Sequence, residues 1–469
     1  MPRHSAPKRI QPLYPKLPAG RSTKSSEEIA GNQVERLQRA IIYAISGRGY
    51  YKTTVADIIA LAGVARRTFY EHFPNKQACF LAAYDAILQR SMTKVAEAYS
   101  VSDNWETKIQ AAFLAFVDEV LSNPDAAQLV LIHSASAGEA SIKRRNRGII
   151  AFEALIRDSL NRDPAYQDIS ETTVKAIVGG VRQIIYSRLR SGRAVELPDL
   201  VPDLLTWART YRDPVAVPEI DALAGKRATR RGSASAEAQA RPARGRRKLS
   251  RSMVIHDQRR RIVDAVALIS ATQGYAALTV PHIASTAGVS HKTFYEHFAS
   301  KNQAFSAAFE IAGQRTLSAA ANAYTAESDW PQAVHAALRS LARYLSNDPS
   351  FTRMALVEVL AAGPDALTQR DQILQSFSLL LKPGQQYSVT GLMVPAIAPE
   401  AISGGILEVL YFYISNDRAV DLPQLVPQLT YIALAPFIGT EQAARVATEP
   451  APERRGPKQK TANMDDPRR

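Results

Sequence analysis

The chain has 469 residues, 46% of them apolar, more than one ordinary core accommodates, so two or more globular domains are predicted. Its formal net charge is +14, and the single cysteine, Cys79, excludes an intrachain disulfide and a cysteine-only metal cluster; it reads as a small packing residue. The nearest approach to a membrane span, Ala401 to Ser415, is broken by Glu408, and the basic N-terminus has no apolar signal core, so a cytoplasmic location is expected.

The positive charge is concentrated in two places. Residues 1–26 hold Arg3, Lys8, Arg9, Lys16, Arg21 and Lys24 with no acid, and residues 226–261 hold thirteen basic residues against Glu237 and Asp257. Together these segments carry +17, more than the whole chain, so the remainder is slightly acidic. Basic arms of this kind engage phosphates or a minor groove.

Residues 1–26 form a basic arm with little to bury, expected to be disordered. Leu37, Ala40, Ile41, Ala44 and Ile45 then recur at helical spacing until Gly49-Tyr50 ends the helix. Thr54 with Asp57 three residues on is close to a capping box, and Val55, Ile58, Ile59 and Ala62 make the inner face of a second helix. Ala62-Gly63-Val64 reads as a tight turn, with glycine suited to a left-handed backbone. After it, Phe69 and Phe73 lie on the core side of a short helix, while Arg66, Arg67 and Tyr70 fall largely on the opposite face. A short helix, a glycine turn and a helix with a basic-aromatic outer face is the pattern of a helix-turn-helix reader of DNA. Asn75 is expected to cap a fourth helix starting at Lys76.

The rest of the unit reads as helices only, among them Trp105 to Leu121, Ala151 to Leu160 and Thr172 to Arg190. Gly179-Gly180 inside the last of these costs about 2 kcal/mol against alanine, which points either to close approach of another helix or to a kink. Residues 213–251 read as a basic linker. The whole pattern then returns at a constant offset of 225 residues. Gly49-Tyr50 matches Gly274-Tyr275, Thr54 matches Thr279, Ala62-Gly63-Val64 matches Ala287-Gly288-Val289, and Gly179-Gly180 matches Gly404-Gly405. One register from Gly20 to Pro202 marks duplication of a complete unit. The domains expected are 1–26 (basic arm), 27–80 and 252–305 (helix-turn-helix), 81–212 and 306–438 (helical regulatory), 213–251 (linker) and 439–469 (disordered tail).

The ordered set Gly-Tyr, Thr-Val-x-x-Ile, Ala-Gly-Val, Thr-Phe-Tyr-Glu-His-Phe and a following Lys76 or Lys301 resembles the tetracycline-repressor (TetR) family of bacterial transcription regulators, present twice in this chain. The resemblance implies an all-α fold of two tandem units, each a three-helix DNA-binding head followed by a helical ligand and dimerisation domain. It implies DNA contacts from Thr54, Ala65, Arg66, Arg67, Thr68 and Tyr70, with His72 and Lys76 as backbone clamps. In the second copy the matching residues are Thr279, Ser290, His291, Lys292, Thr293 and Tyr295, with His297 and Lys301 as clamps. Pro281-His282 replaces Ala56-Asp57 there and loses the capping acid.

The function implied is a sequence-specific transcriptional regulator, a repressor released by a small-molecule effector whose pocket residues no local motif marks. The partners implied are double-stranded DNA, that effector, and the other repeat of the same chain in a pseudo-dimer. A conventional dimer with like repeats paired between chains, giving a higher homo-oligomer, is the alternative. An architectural, nucleoid-coating protein is the competing function, although it would need only phosphate contacts and not two distinct reading helices. An enzyme is not expected. There is no phosphate-binding glycine loop, no metal-ligand spacing for His72 or His297, and no partner in sequence for His133. No cofactor or metal is expected.

Overall fold

The computed structural model describes residue 13 and residues 25–101, 104–218, 251–387 and 394–449. Most of the basic arm, nearly all of the linker and residues 450–469 lie outside the described residues. Among those described, the regular structure is helical and contains no strand.

Repeat one contributes α1 (Ser26–Arg48), α2 (Val55–Ala62), α3 (Arg66–His72), α4 (Lys76–Ser100), α5 (Trp105–Ser122), α6 (Pro124–Leu131), α7 (Glu139–Leu160), α8 (Glu171–Arg190) and α9 (Leu197–Arg209). Repeat two follows in the same order: α10 (Arg251–Gln273), α11 (Val280–Ala287), α12 (His291–His297), α13 (Lys301–Tyr324), α14 (Trp330–Asn347), α15 (Pro349–Leu356), α16 (Pro364–Leu381), α17 (Ala398–Ser415) and α18 (Val426–Ile438). A last helix, α19 (Thr440–Thr448), has no partner of matching order among the described residues of repeat one.

Local chemistry starts these helices where the sequence indicates. Ser25 Oγ accepts from Glu28 N at 3.1 Å and the Glu28 carboxylate accepts from Ser25 N at 2.8 Å, closing a capping box on α1. Asn75 accepts from Ala78 N at 2.9 Å and starts α4.

Two expectations need correction. The helix expected from Ala151 begins twelve residues earlier, at Glu139, because Arg145, in the basic stretch Lys143 to Arg147, turns inward and finds acidic and aromatic partners. The tail expected to be disordered from residue 439 opens instead with α19. Ala443, Ala444, Val446 and Ala447 form a small apolar face that is buried with α14 and α18.

Each head has its own core. In repeat one Leu37, Ile41, Ile58, Phe69 and Phe80 meet, with Cys79 among them; burial pushes its thiol up to about 12. Ile262, Val266, Ile283, Phe294 and Phe305 do the same in repeat two. The regulatory halves, in contrast, share one continuous core that runs from Val117 to Ala447.

At the centre of that core α8 crosses α17. A Cβ placed on Gly179 would stand 2.4 Å from Glu408 Cβ, and one on Gly404 would stand 2.3 Å from Gln183 Cβ. A Cβ on Gly180 or on Gly405 would in the same way stand 2.5 Å from backbone, Ala401 O and Ala176 O respectively. The four positions obey the 225-residue offset, so the crossing is a local pseudo-twofold. Close approach is the reason for both glycine pairs.

Candidate nucleic-acid interface and regulatory cavities

The turns before α3 and α12 are set by glycine. Gly63 has φ 62° and ψ 36°, and Gly288 has φ 63° and ψ 40°, a left-handed conformation that disfavours a Cβ. Behind the turn, buried Phe69 and Phe294 lock α3 and α12 onto the head cores. Tyr70 and Tyr295, the next residues, are 47% and 59% exposed.

The outward faces differ between the repeats. Arg66, with its guanidinium 5.7 Å from the Tyr70 ring centroid, and Arg67, 91% exposed, stand on the open side of α3 beside exposed Ala65. Arg67 Nε donates to Glu71 at 2.9 Å, a solvent-screened pair that leaves its other N–H groups available. On α12 the matching positions are exposed His291 and Lys292. Ser290 replaces the uncapped Ala65, and its hydroxyl accepts from Thr293 N at 3.0 Å, which caps α12. Thr68 and Thr293 are half-buried.

The remaining residues implied by the resemblance are built into the heads. Thr54 Oγ1 caps α2 by accepting from Asp57 N at 3.2 Å, while Asp57 accepts the Thr54 hydroxyl at 2.8 Å and Arg48 at 3.0 Å. Partial burial would raise the Asp57 carboxyl, but these bonds outweigh it and hold the group below the usual carboxylate range. Thr279 keeps the cap alone, accepting from His282 N at 3.3 Å. Lys76 Nζ donates to Tyr50 O at 2.8 Å and Thr53 O at 2.9 Å and lies 4.1 Å from the Tyr50 ring centroid. Lys301 Nζ donates to Leu278 O at 2.8 Å beside the Tyr275 ring. Burial lowers the pKa of both lysines. His72 Nε2 pairs with Gln33 Oε1 at 2.9 Å and His297 with Gln258 Oε1 at 3.3 Å, again one offset apart. Sequence reasoning passed over Gln33 and Gln258, although their fixed offset was visible.

The heads also touch: the Tyr51 ring of head one lies 6.0 Å from the Tyr275 ring of head two. His133, the isolated histidine of the sequence, sits beside Gly49, and burial with Arg190 nearby pushes it down to about 4, so it is neutral at physiological pH.

The helical part of each repeat that follows the head contains a cavity. In repeat one it is about 200 Å³, walled by apolar groups such as Phe113, Phe116, Phe152 and Ile177, with Arg145 and Arg182 among its lining. In repeat two it is about 130 Å³ and includes Arg370 and Leu407. A reciprocal exchange of bulk separates them: Leu88 faces Gly148 in the first, whereas Gly313 faces Ile373 in the second.

No helix among the described residues is long and apolar enough to cross a membrane. No curated protein matches this chain. Among solved structures, one described as the fatty acid degradation regulator FadR from Bacillus halodurans is similar at 21% identity, over 38% of this chain and 94% of that one, with a TM-score of 0.35. The model of the tetR family of bacterial regulatory proteins matches residues 40–83 and 262–308, the two segments that contain α2–α3 and α11–α12. The chain thus carries the N-terminal, DNA-binding segment of that family twice, which supports a DNA-binding transcriptional regulator.

Proposed function

We propose that one chain reads a non-palindromic operator with two unlike heads, as a repressor at the nucleoid whose release follows effector binding in the regulatory halves. The heads are assigned to 27–80 and 252–305 and the regulatory halves to 81–212 and 306–438. Arg66 and Arg67 each suit guanine N7 and O6, whereas His291 and Lys292 are shorter or point-like donors, so the half-sites differ.

The observation that carries the reading is the chemistry of the α8–α17 crossing. Helix α8 brings Lys175, Arg182, Arg188 and Arg190 against the terminal Glu171, while α17 brings Glu400 and Glu408 and no base. Arg188 meets Glu400 at 3.2 Å, and Arg190 meets Asp371 of α16 at 3.2 Å. Pairing α8 with a second α8 would oppose like charges, so the unlike repeats are the matched partners. Heads held by one such pair can enter successive major grooves about 34–36 Å apart. The basic arm and linker add phosphate contacts without base choice.

Light scattering on the DNA-free protein, combined with binding-site selection, tests this. A mass near 51.3 kDa and two dissimilar half-sites are expected. A concentration-independent mass of twice that, or a perfect palindrome, would refute it.

A further inference from the structure

Behind the apolar wall of the first cavity lies a buried charge imbalance. Arg145 Nη2 donates to Glu408 Oε2 at 3.1 Å, and Arg182 Nη2 donates to the same oxygen. Two guanidiniums thus share one carboxylate, and Glu408 is only 5% exposed. Lys175 and Glu153 nearby pair with each other at 2.8 Å, and Arg370 beyond them pairs with Asp371 at 3.1 Å, so neither relieves the surplus. Arg182 Nε is buried without a hydrogen-bond partner, and the side chain keeps 21% of its surface open. A buried cation with an idle donor is costly, and one further carboxylate would satisfy both its charge and its geometry.

The second cavity lacks this arrangement. Leu407 stands where Arg182 stands, and Arg370 faces the neutral amide oxygen of Gln183 at 3.4 Å. We propose that the first cavity binds one amphipathic monocarboxylate per chain, its apolar body among Phe113, Phe116 and Phe152 and its headgroup on Arg145 and Arg182. The headgroup shares or takes over the guanidiniums that Glu408 holds. Glu408 belongs to repeat two, so occupation loosens the contact between the repeats. This assignment rests on the ligand-released reading and names its ligand class.

The test is calorimetric titration of the full chain, without DNA, with decanoate, 1-decanol and decylamine. Decanoate is expected to bind once per chain and at least tenfold more tightly than decanol, with decylamine weaker still. In Arg182→Leu, the residue that repeat two carries, decanoate should fall to the level of decanol. Equal affinity for decanoate and decanol in the unmodified chain would overturn the proposal whether or not the variant folds, as would two equivalent decanoate sites. Operator binding is then measured in the same samples. Decanoate that binds without weakening DNA leaves the site standing and removes the release reading instead.

Discussion

Glu408 of the second repeat occupies the position that Gln183 holds in the first, and it places a carboxylate 3.1 Å from Arg145, whereas across the crossing the matched Arg370 meets an amide oxygen at 3.4 Å and takes its carboxylate from the adjacent Asp371. Both arginines also lie over the ring of a matched tyrosine. Arg145 lies 4.3 Å from the Tyr411 ring centroid and Arg370 5.2 Å from that of Tyr186. Together with Lys175 against Glu400 and Arg182 against Leu407, this difference at a matched position makes the crossing directional.

Replacing Glu408 with Gln should destabilise the fold by about 3 kcal/mol, because Arg145 and Arg182 would lose their only shared counter-charge. Burial alone would raise this carboxyl, but Arg145 and Arg182 hold it down at about 2 against an ordinary 4.5. A carboxyl depressed in the folded state binds fewer protons than in the unfolded chain. Its contribution is complete above about 4.5 and is lost as pH falls from there through about 2. Urea titrations across that window should show the loss in the parent chain and a flatter profile in Glu408→Gln. Identical profiles would disprove the role.

Gly179→Ala should also destabilise, against helix propensity. Alanine would gain about 1 kcal/mol in an isolated helix, but its methyl would overlap Glu408 Cβ, and overpacking costs about 1–3 kcal/mol. Gly31, which has open space around its Cβ position, is the control, and Gly31→Ala should stabilise or be neutral. Thermal melts that rank the two variants the other way would contradict the crossing geometry.

Arg67→Ala should weaken operator binding by about 1–3 kcal/mol and relax one half-site only, with Lys292→Ala acting on the other. Selection of binding sites from random DNA reads the result. Loss of preference at both half-sites from either variant would mean that the heads do not read independently.

Lys76→Met should lower the stability of head one by about 1–3 kcal/mol, because two turn carbonyls lose a charged donor. It should leave the salt dependence of DNA binding unchanged, since its ammonium is engaged internally and half-buried. A salt slope reduced by about one unit would instead make Lys76 a phosphate contact.

The heads were legible because everything that defines them is local. Thr54 meets Asp57 three residues away, Gly63 needs only its own backbone conformation, and the Phe69–Phe73 spacing fixes the buried face of α3 within one turn. The duplication was legible for a similar reason, since a fixed offset is a property of the string. What a clamp residue does was not legible: Lys76 looks like a free cation until the chain brings the Tyr50 and Thr53 carbonyls to it across more than twenty residues. Basic residues in α7 and small residues in α19 likewise hid helices whose apolar or ionic partners come from elsewhere.

The sequence by itself determined two helix-turn-helix heads with different outer faces, and it marked Glu408 as the charge interrupting an apolar run. Only the tertiary structure decided why that charge is tolerated. Its partners Arg145 and Arg182 lie 263 and 226 residues away: Arg182 reaches it across the α8–α17 crossing, where four glycines remove the intervening Cβ atoms, and Arg145 reaches it from α7. A buried ion is stable only with a counter-ion in contact, and contact between distant segments is created by packing.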